Sequence, residues 1–127
     1  MLTLRWRAQT IANSRQAARY SVGRAFLAGD AAHIFSAGGA ALNTGMLDAL
    51  DLADRLIAMI RKSAATSVLD GYETTRHPAG HRALIQTSAQ AALNAISPEG
   101  AALREVFAEF LTSRNPRRYL SELLSGD

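Results

Sequence analysis

The sequence predicts an α+β fold that is mostly α, with a few N-terminal strands followed by about four helical segments. Alanine, which favours helix, makes up 25 of the 127 residues. Short strand-like patterns are confined to the first 30 residues, whereas apolar residues beyond residue 41 recur at helical spacing. The length corresponds to one domain at most.

The N-terminal part is predicted to be β. Leu2, Leu4 and Trp6 alternate with polar residues, which is the period of a strand. Residues 24–28 form an apolar run that ends at Gly29-Asp30. Because few polar residues interrupt it, this run suits a strand buried on both faces.

Four helices are predicted after this strand. The first runs from Leu42 to Lys62, and a second begins near Val68 and should kink or break at Pro78. A third begins at Ser97-Pro98-Glu99, a helix-start signature, and a fourth follows residues 115–116. The first helix carries one apolar stripe, made of eight residues: Leu42, Met46, Ala49, Leu50, Ala53, Leu56, Ile57 and Ile60.

Composition limits the classes of function. The chain has no Cys, which excludes disulfides and Cys-based metal sites, and no apolar run approaches the ~18 residues of a membrane span. Five Arg and no acid precede Asp30. This basic start fits a solvated strand surface, a face for an anionic ligand or a targeting segment.

The most unusual stretch places a carboxylate, Asp30, after a buried strand and before a Gly38-Gly39 loop and a helix start. Ligands bind at the carboxyl ends of strands in α/β sheets, and glycines before a helix let the backbone approach a ligand. Asp30 is therefore either a contact for ligand hydroxyls or a turn and capping residue.

Other polar residues have structural alternatives. His33 is a candidate general base or a loop histidine bonded to backbone. His77 and His81 have the spacing of metal ligands but flank a proline and lack a third ligand, whereas Glu73 and Arg76 suit a helix ion pair. A solvated end is favoured over a nucleic-acid contact for the C-terminal basic residues Arg114, Arg117 and Arg118.

Several stretches together resemble the class A FAD-dependent aromatic hydroxylases, the para-hydroxybenzoate-hydroxylase-like flavoprotein monooxygenases. Residues 24–33 and 38–49 resemble the second flavin-contact segment of that family, and residues 69–78 resemble its Y-E-x-x-R-x-P helix. Residues 117–126 are similar to the closing helix of the flavin domain in the branch that acts on aromatic polyketides and rifamycins.

The resemblance implies a truncated FAD/NAD(P)-binding domain, with residues 1–127 as its C-terminal part. Strands and the Gly-Asp motif would occupy residues 1–30, the flavin-contact loop and helix 31–62, and a helical segment 67–127. FAD would be the cofactor, with NAD(P)H as reductant, and no side chain here need be catalytic or bind a metal. Asp30 would hold the ribityl chain, and the implied FAD-binding residues are Gly29, Asp30, Gly38, Gly39, Leu42 and Asn43.

The sequence also departs from the family pattern. The loop lacks the usual proline, and Ala40 and Ala41 stand where the family has Gln and Gly. No N-terminal βαβ unit is present to hold the ADP half of FAD, so the expected partner is a missing N-terminal flavin-domain portion or a partner chain. Weak or no FAD binding by the chain alone is expected.

The remaining expectations follow from the same interpretation. The substrate of the full enzyme would be an aromatic small molecule, without nucleic-acid or membrane partners, in the cytoplasm. Exposed strand edges and helix faces favour a homo-oligomer. The alternative function is a non-catalytic helical remnant or oligomerisation module that does not bind flavin.

Overall fold

The computed structural model describes residues 13–35, 40–62 and 65–118. Contacts divide the chain into two units, residues 1–90 and 91–127. No helix within the described ranges is both long and apolar enough to cross a membrane. The predicted strand at residues 2–7 and Gly38-Gly39 lie outside the described residues.

Four two-residue strands form two antiparallel pairs in the first unit. β1 (Arg15–Gln16) pairs with β4 (His33–Ile34), and β2 (Ser21–Val22) pairs with β3 (Ala25–Phe26) in a hairpin. Gly23 in the hairpin turn has φ +58°, a conformation that glycine adopts without steric cost. The prediction of a strand buried on both faces at residues 24–28 is wrong for the described residues, since β3 pairs with β2 alone and its Ala25 is exposed.

The first helix, α1 (Ala40–Lys62), turns a polar face inward. Its buried side chains are Thr44 and Asp48, with Leu52 partly buried beside them. Much of the apolar stripe is exposed in this structure. Five residues of the stripe are 43–72% exposed: Leu42, Met46, Leu50, Ile57 and Ile60.

The second helix, α2 (Asp70–Leu93), follows a 3-10 turn at Thr66–Leu69 and runs without interruption past Pro78. The expected break is therefore not present. Pro78 is exposed, and the preceding carbonyl, of His77, accepts a hydrogen bond from Gln16 Nε2 at 2.8 Å. This contact ties the proline-containing turn of α2 to β1.

The core of the first unit is small and aromatic. Tyr20, Ala32 and Tyr72 are buried, and Phe26 and Leu52 pack against them. The Phe26 and Tyr72 rings meet edge to face at 6.0 Å, a favourable arrangement for aromatic pairs. The Tyr72 hydroxyl donates a 2.7 Å hydrogen bond to the Leu27 carbonyl, so its polar atom is satisfied inside the core.

The second unit contains the capped helix that the sequence predicts. In α3 (Pro98–Thr112), the Ser97 hydroxyl accepts a hydrogen bond from the Gly100 amide at 3.1 Å, with proline in the first turn. A further helical turn covers residues 116–118, where Arg118 N donates to Asn115 Oδ1 at 3.2 Å. The mostly helical α+β class is therefore confirmed, while the division of residues 1–127 into segments stays a prediction.

Candidate functional site

A buried carboxylate, Asp48, joins three elements of the first unit. Its Oδ2 accepts hydrogen bonds from His33 Nε2 at 2.6 Å and from the Gly29 amide at 3.2 Å. Its Oδ1 accepts from Arg76 Nε at 2.8 Å. Arg76 also donates from Nη2 to the Thr44 carbonyl at 3.3 Å. Asp48 of α1 thus connects three other elements: the turn at Gly29, the strand β4 and the helix α2.

The Asp48 site is nearly closed to solvent. The Asp48 and His33 side chains are fully buried, and that of Arg76 is 11% exposed. Removing one partner of a buried ion pair leaves an uncompensated charge, so loss of Arg76 should be costly at this site. This site was not predicted from the sequence, although His33, Asp48 and Arg76 all lie within the stretches that resemble the family.

His33 serves as a partner of Asp48. Because an ionised carboxylate only accepts hydrogen bonds, His33 Nε2 must carry the hydrogen that it donates. Nδ1 has no partner in the described part of the chain, and Phe35 stacks on the ring at 4.7 Å. The interpretation of His33 as a loop histidine bonded to backbone is therefore wrong, because its ring bonds to the Asp48 carboxylate.

Glu73 and Arg76 do not form the predicted helix ion pair. Glu73 Oε2 accepts hydrogen bonds from the Tyr20 amide at 2.6 Å and the Ser21 amide at 2.8 Å, whereas Arg76 turns to Asp48. Each side chain instead bonds to a residue of another element, at a site with little access to solvent. Charge-assisted hydrogen bonds at such a site are stronger than an ion pair between two solvated side chains of one helix. Glu73 thus anchors β2 to α2.

Asp30 lies in a 3-10 turn, Gly29–Ala31, and is exposed. Within the described ranges its carboxylate has no hydrogen-bond or ion-pair partner. Gly29 adopts φ +58°, and a Cβ added to Gly45 of α1 would lie 3.1 Å from the Gly29 Cα. The structure therefore presents an exposed carboxylate on a turn packed against the N-terminal half of α1.

Leu42 and Asn43 lie in the first turn of α1, and both are exposed. The first amides of a helix have no intrahelical acceptor, which makes this end favourable for negative charge. Asn43 also borders a shallow cavity of about 400 Å³ between α1 and α2, together with Arg76 and Arg82. Two further residues of the predicted FAD-binding set, Gly38 and Gly39, lie outside the described residues.

The two histidines of α2 have different environments. His77 Nε2 lies 3.2 Å from the Ala17 carbonyl, and its ring meets Tyr20 edge-on at 5.0 Å. His81 is exposed. No cluster of three metal-ligating side chains occurs in the described segments. His77 thus has a packing role between α2 and the strands.

Burial changes the titration of the core tyrosines. Loss of hydration raises the pKa of Tyr72 to about 12, and the negative charge of Asp48 acts in the same direction. Burial likewise raises the pKa of Tyr20. Both phenols therefore remain protonated, and neither is suited to act as a base near neutral pH.

A larger groove of about 970 Å³ runs between the β2–β3 hairpin, α1 and the start of α2. Arg19 and Arg24 of the basic N-terminal segment border it and are exposed, and Phe26 and Met59 supply apolar wall. Asp30 is not among its lining residues. The groove is thus separate from the turn that carries Asp30.

Comparison with known families identifies the class of the chain. A model of the family described as "FAD binding domain" matches residues 2–87. The chain therefore belongs to the FAD-binding domain family, whose cofactor is FAD. This finding confirms the resemblance drawn from residues 24–33, 38–49 and 69–78.

Curated relatives refine this placement. The chain is 43% identical to an anhydrotetracycline monooxygenase of Streptomyces rimosus, over 99% of this chain and 25% of the relative. It is 41% identical to a rifampicin monooxygenase of Streptomyces venezuelae (96% and 26%), and 40% identical to a dialkyldecalin synthase of Streptomyces rugosporus (95% and 26%). The chain thus spans about a quarter of the length of these relatives.

A solved structure agrees with this assignment. CabE, an aromatic hydroxylase from angucycline biosynthesis, superposes with a TM-score of 0.72 at 37% identity. The match covers 89% of this chain and 23% of that chain. The chain is therefore similar in both sequence and fold to one segment of the aromatic-hydroxylase branch of the family.

Proposed function

We propose that the chain supplies the part of an FAD site that contacts the ribityl chain and the isoalloxazine ring, within an NAD(P)H-using aromatic-ring monooxygenase. The observation that carries this proposal is the exposed Asp30 carboxylate, which has no partner among the described residues and lies on a turn packed against α1. Membership of the FAD-binding domain family supports it.

The chemistry of the residues fits the flavin. A carboxylate accepts hydrogen bonds from hydroxyls, so Asp30 is suited to the ribityl chain. The backbone at Gly29 leaves room for close approach, and the first turn of α1, with Leu42 and Asn43, offers amide donors for the electron-rich edge of the ring. We propose that Gly38 and Gly39 extend this surface.

The chemical step would belong to the cofactor. Bound flavin supplies oxygen activation after reduction by NAD(P)H, and the protein orients it. The residues of this chain bind and position the flavin, and no acid, base or nucleophile is required from Asp30 or its neighbours. The aromatic substrate and the ADP half of FAD would be held by other polypeptide, as the fourfold greater length of the relatives suggests.

A chimera tests the proposal. The matching segment of the Streptomyces rimosus monooxygenase is replaced by this chain, and bound flavin and substrate hydroxylation are measured. We expect the chimera to retain FAD, and Asp30→Ala to weaken FAD binding about 10- to 100-fold through lost charge-assisted hydrogen bonds. Asp54→Ala is the matched control, because Asp54 is an exposed acid of α1.

Two results would contradict the proposal. One is a folded chimera without flavin, and the other is an Asp30→Ala variant that binds FAD as well as Asp54→Ala does. The isolated chain should bind FAD weakly, because half a site offers half the contacts while ordering costs remain. Tight, stoichiometric FAD in the isolated chain would show that no second portion of the site is needed.

A synthase reaction is the second candidate function. Identity to the dialkyldecalin synthase is 40%, close to the values for the two monooxygenases, and supports this candidate. The same replacement in the Streptomyces rugosporus synthase separates the two candidates. Synthase activity retained there, with hydroxylation lost in the monooxygenase chimera, would favour the synthase, and the opposite pattern would favour hydroxylation.

A further inference from the structure

We propose that Asp48, held by Arg76, is a positioning residue that fixes the Asp30 turn in the geometry needed to meet a ligand. The inference rests on the proposed role of Asp30 in flavin binding. Asp48 is fully buried, so it acts through the backbone of the turn and not by touching the ligand.

The turn is a three-residue 3-10 segment, closed at its C-terminal end by a backbone hydrogen bond from Ala32 N to the Gly29 carbonyl at 2.8 Å. Such short segments have poor hydrogen-bond geometry, and glycine at φ +58° has wide conformational freedom. The bond from the Gly29 amide to Asp48 Oδ2 therefore gives the turn a directional attachment to α1, beside the close backbone contact between Gly29 and Gly45.

Arg76 in turn fixes the Asp48 carboxylate. Its Nε donates to Oδ1, and its Nη2 donates to the Thr44 carbonyl one turn earlier in α1. One guanidinium thus bonds both the carboxylate and the backbone of the same helix. With Oδ1 occupied in this way, Oδ2 is left to face Gly29 and His33.

A purely structural role of Asp48 would have different effects on the turn and the hairpin. Glu73 of the same chain provides the comparison. Glu73 makes the equivalent contact elsewhere, since its carboxylate accepts from the Tyr20 and Ser21 amides of the hairpin. If Asp48 only supported overall stability, its loss would loosen the hairpin and the Asp30 turn alike. If it positions the turn, the effect should be confined to residues 29–33.

Amide hydrogen exchange of the 127-residue chain, read by NMR, makes this distinction. In Asp48→Asn we expect the Gly29 amide to exchange at least about tenfold faster, with Tyr20 and Ser21 within about twofold of wild type. Glu73→Gln should show the reverse pattern. Asp54→Asn, at an exposed site on α1, should change neither region.

Two variants of Arg76 test the same inference if Asp48→Asn does not fold. Arg76→Lys retains the charge and should preserve most of the Gly29 protection, whereas Arg76→Met should lose it. The histidine ring gives a second readout, because the ¹⁵N shift of Nε2 should report its hydrogen bond to Asp48 in the wild type and should change in Arg76→Met. Unchanged Gly29 exchange in every variant, or equal loosening of the hairpin, would overturn the inference.

Flavin binding in the chimera separates this inference from the proposed function. The losses of FAD affinity in Asp48→Asn and Asp30→Ala should be non-additive, because both act through one carboxylate contact. Additive losses would overturn the positioning role. Local loosening of the turn without any effect of Asp30→Ala on FAD would uphold the positioning of the turn and refute its proposed function.

Discussion

Gly29 and Gly45 lie backbone against backbone, since a Cβ on Gly45 would come within 3.1 Å of the Gly29 Cα. This contact sets how closely the Asp30 turn approaches α1. It also explains why two residues 16 positions apart are both glycine: at one the backbone is left-handed, and at the other the neighbouring backbone leaves no room for a side chain.

Gly45→Ala should therefore not give the usual benefit of removing a helical glycine. Alanine in a helix interior is normally favoured by about 1 kcal/mol, but here the new methyl group must push the turn away by a few tenths of an ångström. We expect no net gain in the free energy of unfolding and shifted Gly29 and Asp30 amide resonances. A gain of about 1 kcal/mol by urea denaturation, with unchanged resonances, would contradict this.

Stability should fall at alkaline pH because of Tyr72. Its pKa of about 12 in the folded protein exceeds the ordinary value of 10.0, so the folded state holds the phenolic proton more tightly than the unfolded state. The resulting stability is complete below pH 10 and is lost as the pH rises through 12, in total on the order of 2 kcal/mol.

The variant Tyr72→Phe isolates this effect. It keeps the ring in the core but removes the hydrogen bond to the Leu27 carbonyl, at a cost of about 1 kcal/mol at neutral pH. Absorbance titration of the phenolates should lose its latest step, and the unfolding free energy should vary less between pH 10 and 12. An identical pH dependence in the variant would exclude Tyr72 as the source, leaving Tyr20.

Gly80 provides space for the Tyr20 hydroxyl. A Cβ at Gly80 would overlap that oxygen, so Gly80→Ala should destabilise the first unit by about 1–3 kcal/mol despite the better helix propensity of alanine. In a Tyr20→Phe background the same change should cost clearly less, because the overlapping oxygen is gone. Equal costs in the two backgrounds, measured by urea unfolding, would show that another contact determines the choice of glycine.

The apolar stripe of α1 should be dispensable for the stability of the isolated chain. Leu50 and Ile60 are 59% and 72% exposed, so Leu50→Gln and Ile60→Gln should change the unfolding free energy by no more than about 0.5 kcal/mol. Leu52→Ala, which removes a side chain packed on the core, should cost about 1–2 kcal/mol. A loss at Leu50 equal to that at Leu52 would show that the stripe is covered in solution.

Local signals in the sequence predicted several elements correctly. Ser97-Pro98 marked the start of α3, the helical spacing after residue 41 marked α1, and Gly29-Asp30 marked a turn. These features depend on residues within a few positions of one another, as capping and helix periodicity do. Motifs in residues 24–33 and 69–78 also sufficed to indicate the family.

The tertiary structure alone decided which side of each helix became buried and which charges met. Asp48 is buried because Arg76, 28 positions away, and His33, 15 positions away, both reach it. Periodicity places Asp48 off the apolar stripe and says nothing of distant partners. The free energy of burying a charge depends on those partners, so the sequence determined the helices and the family, and the long-range hydrogen bonds determined how the Asp30 turn is held.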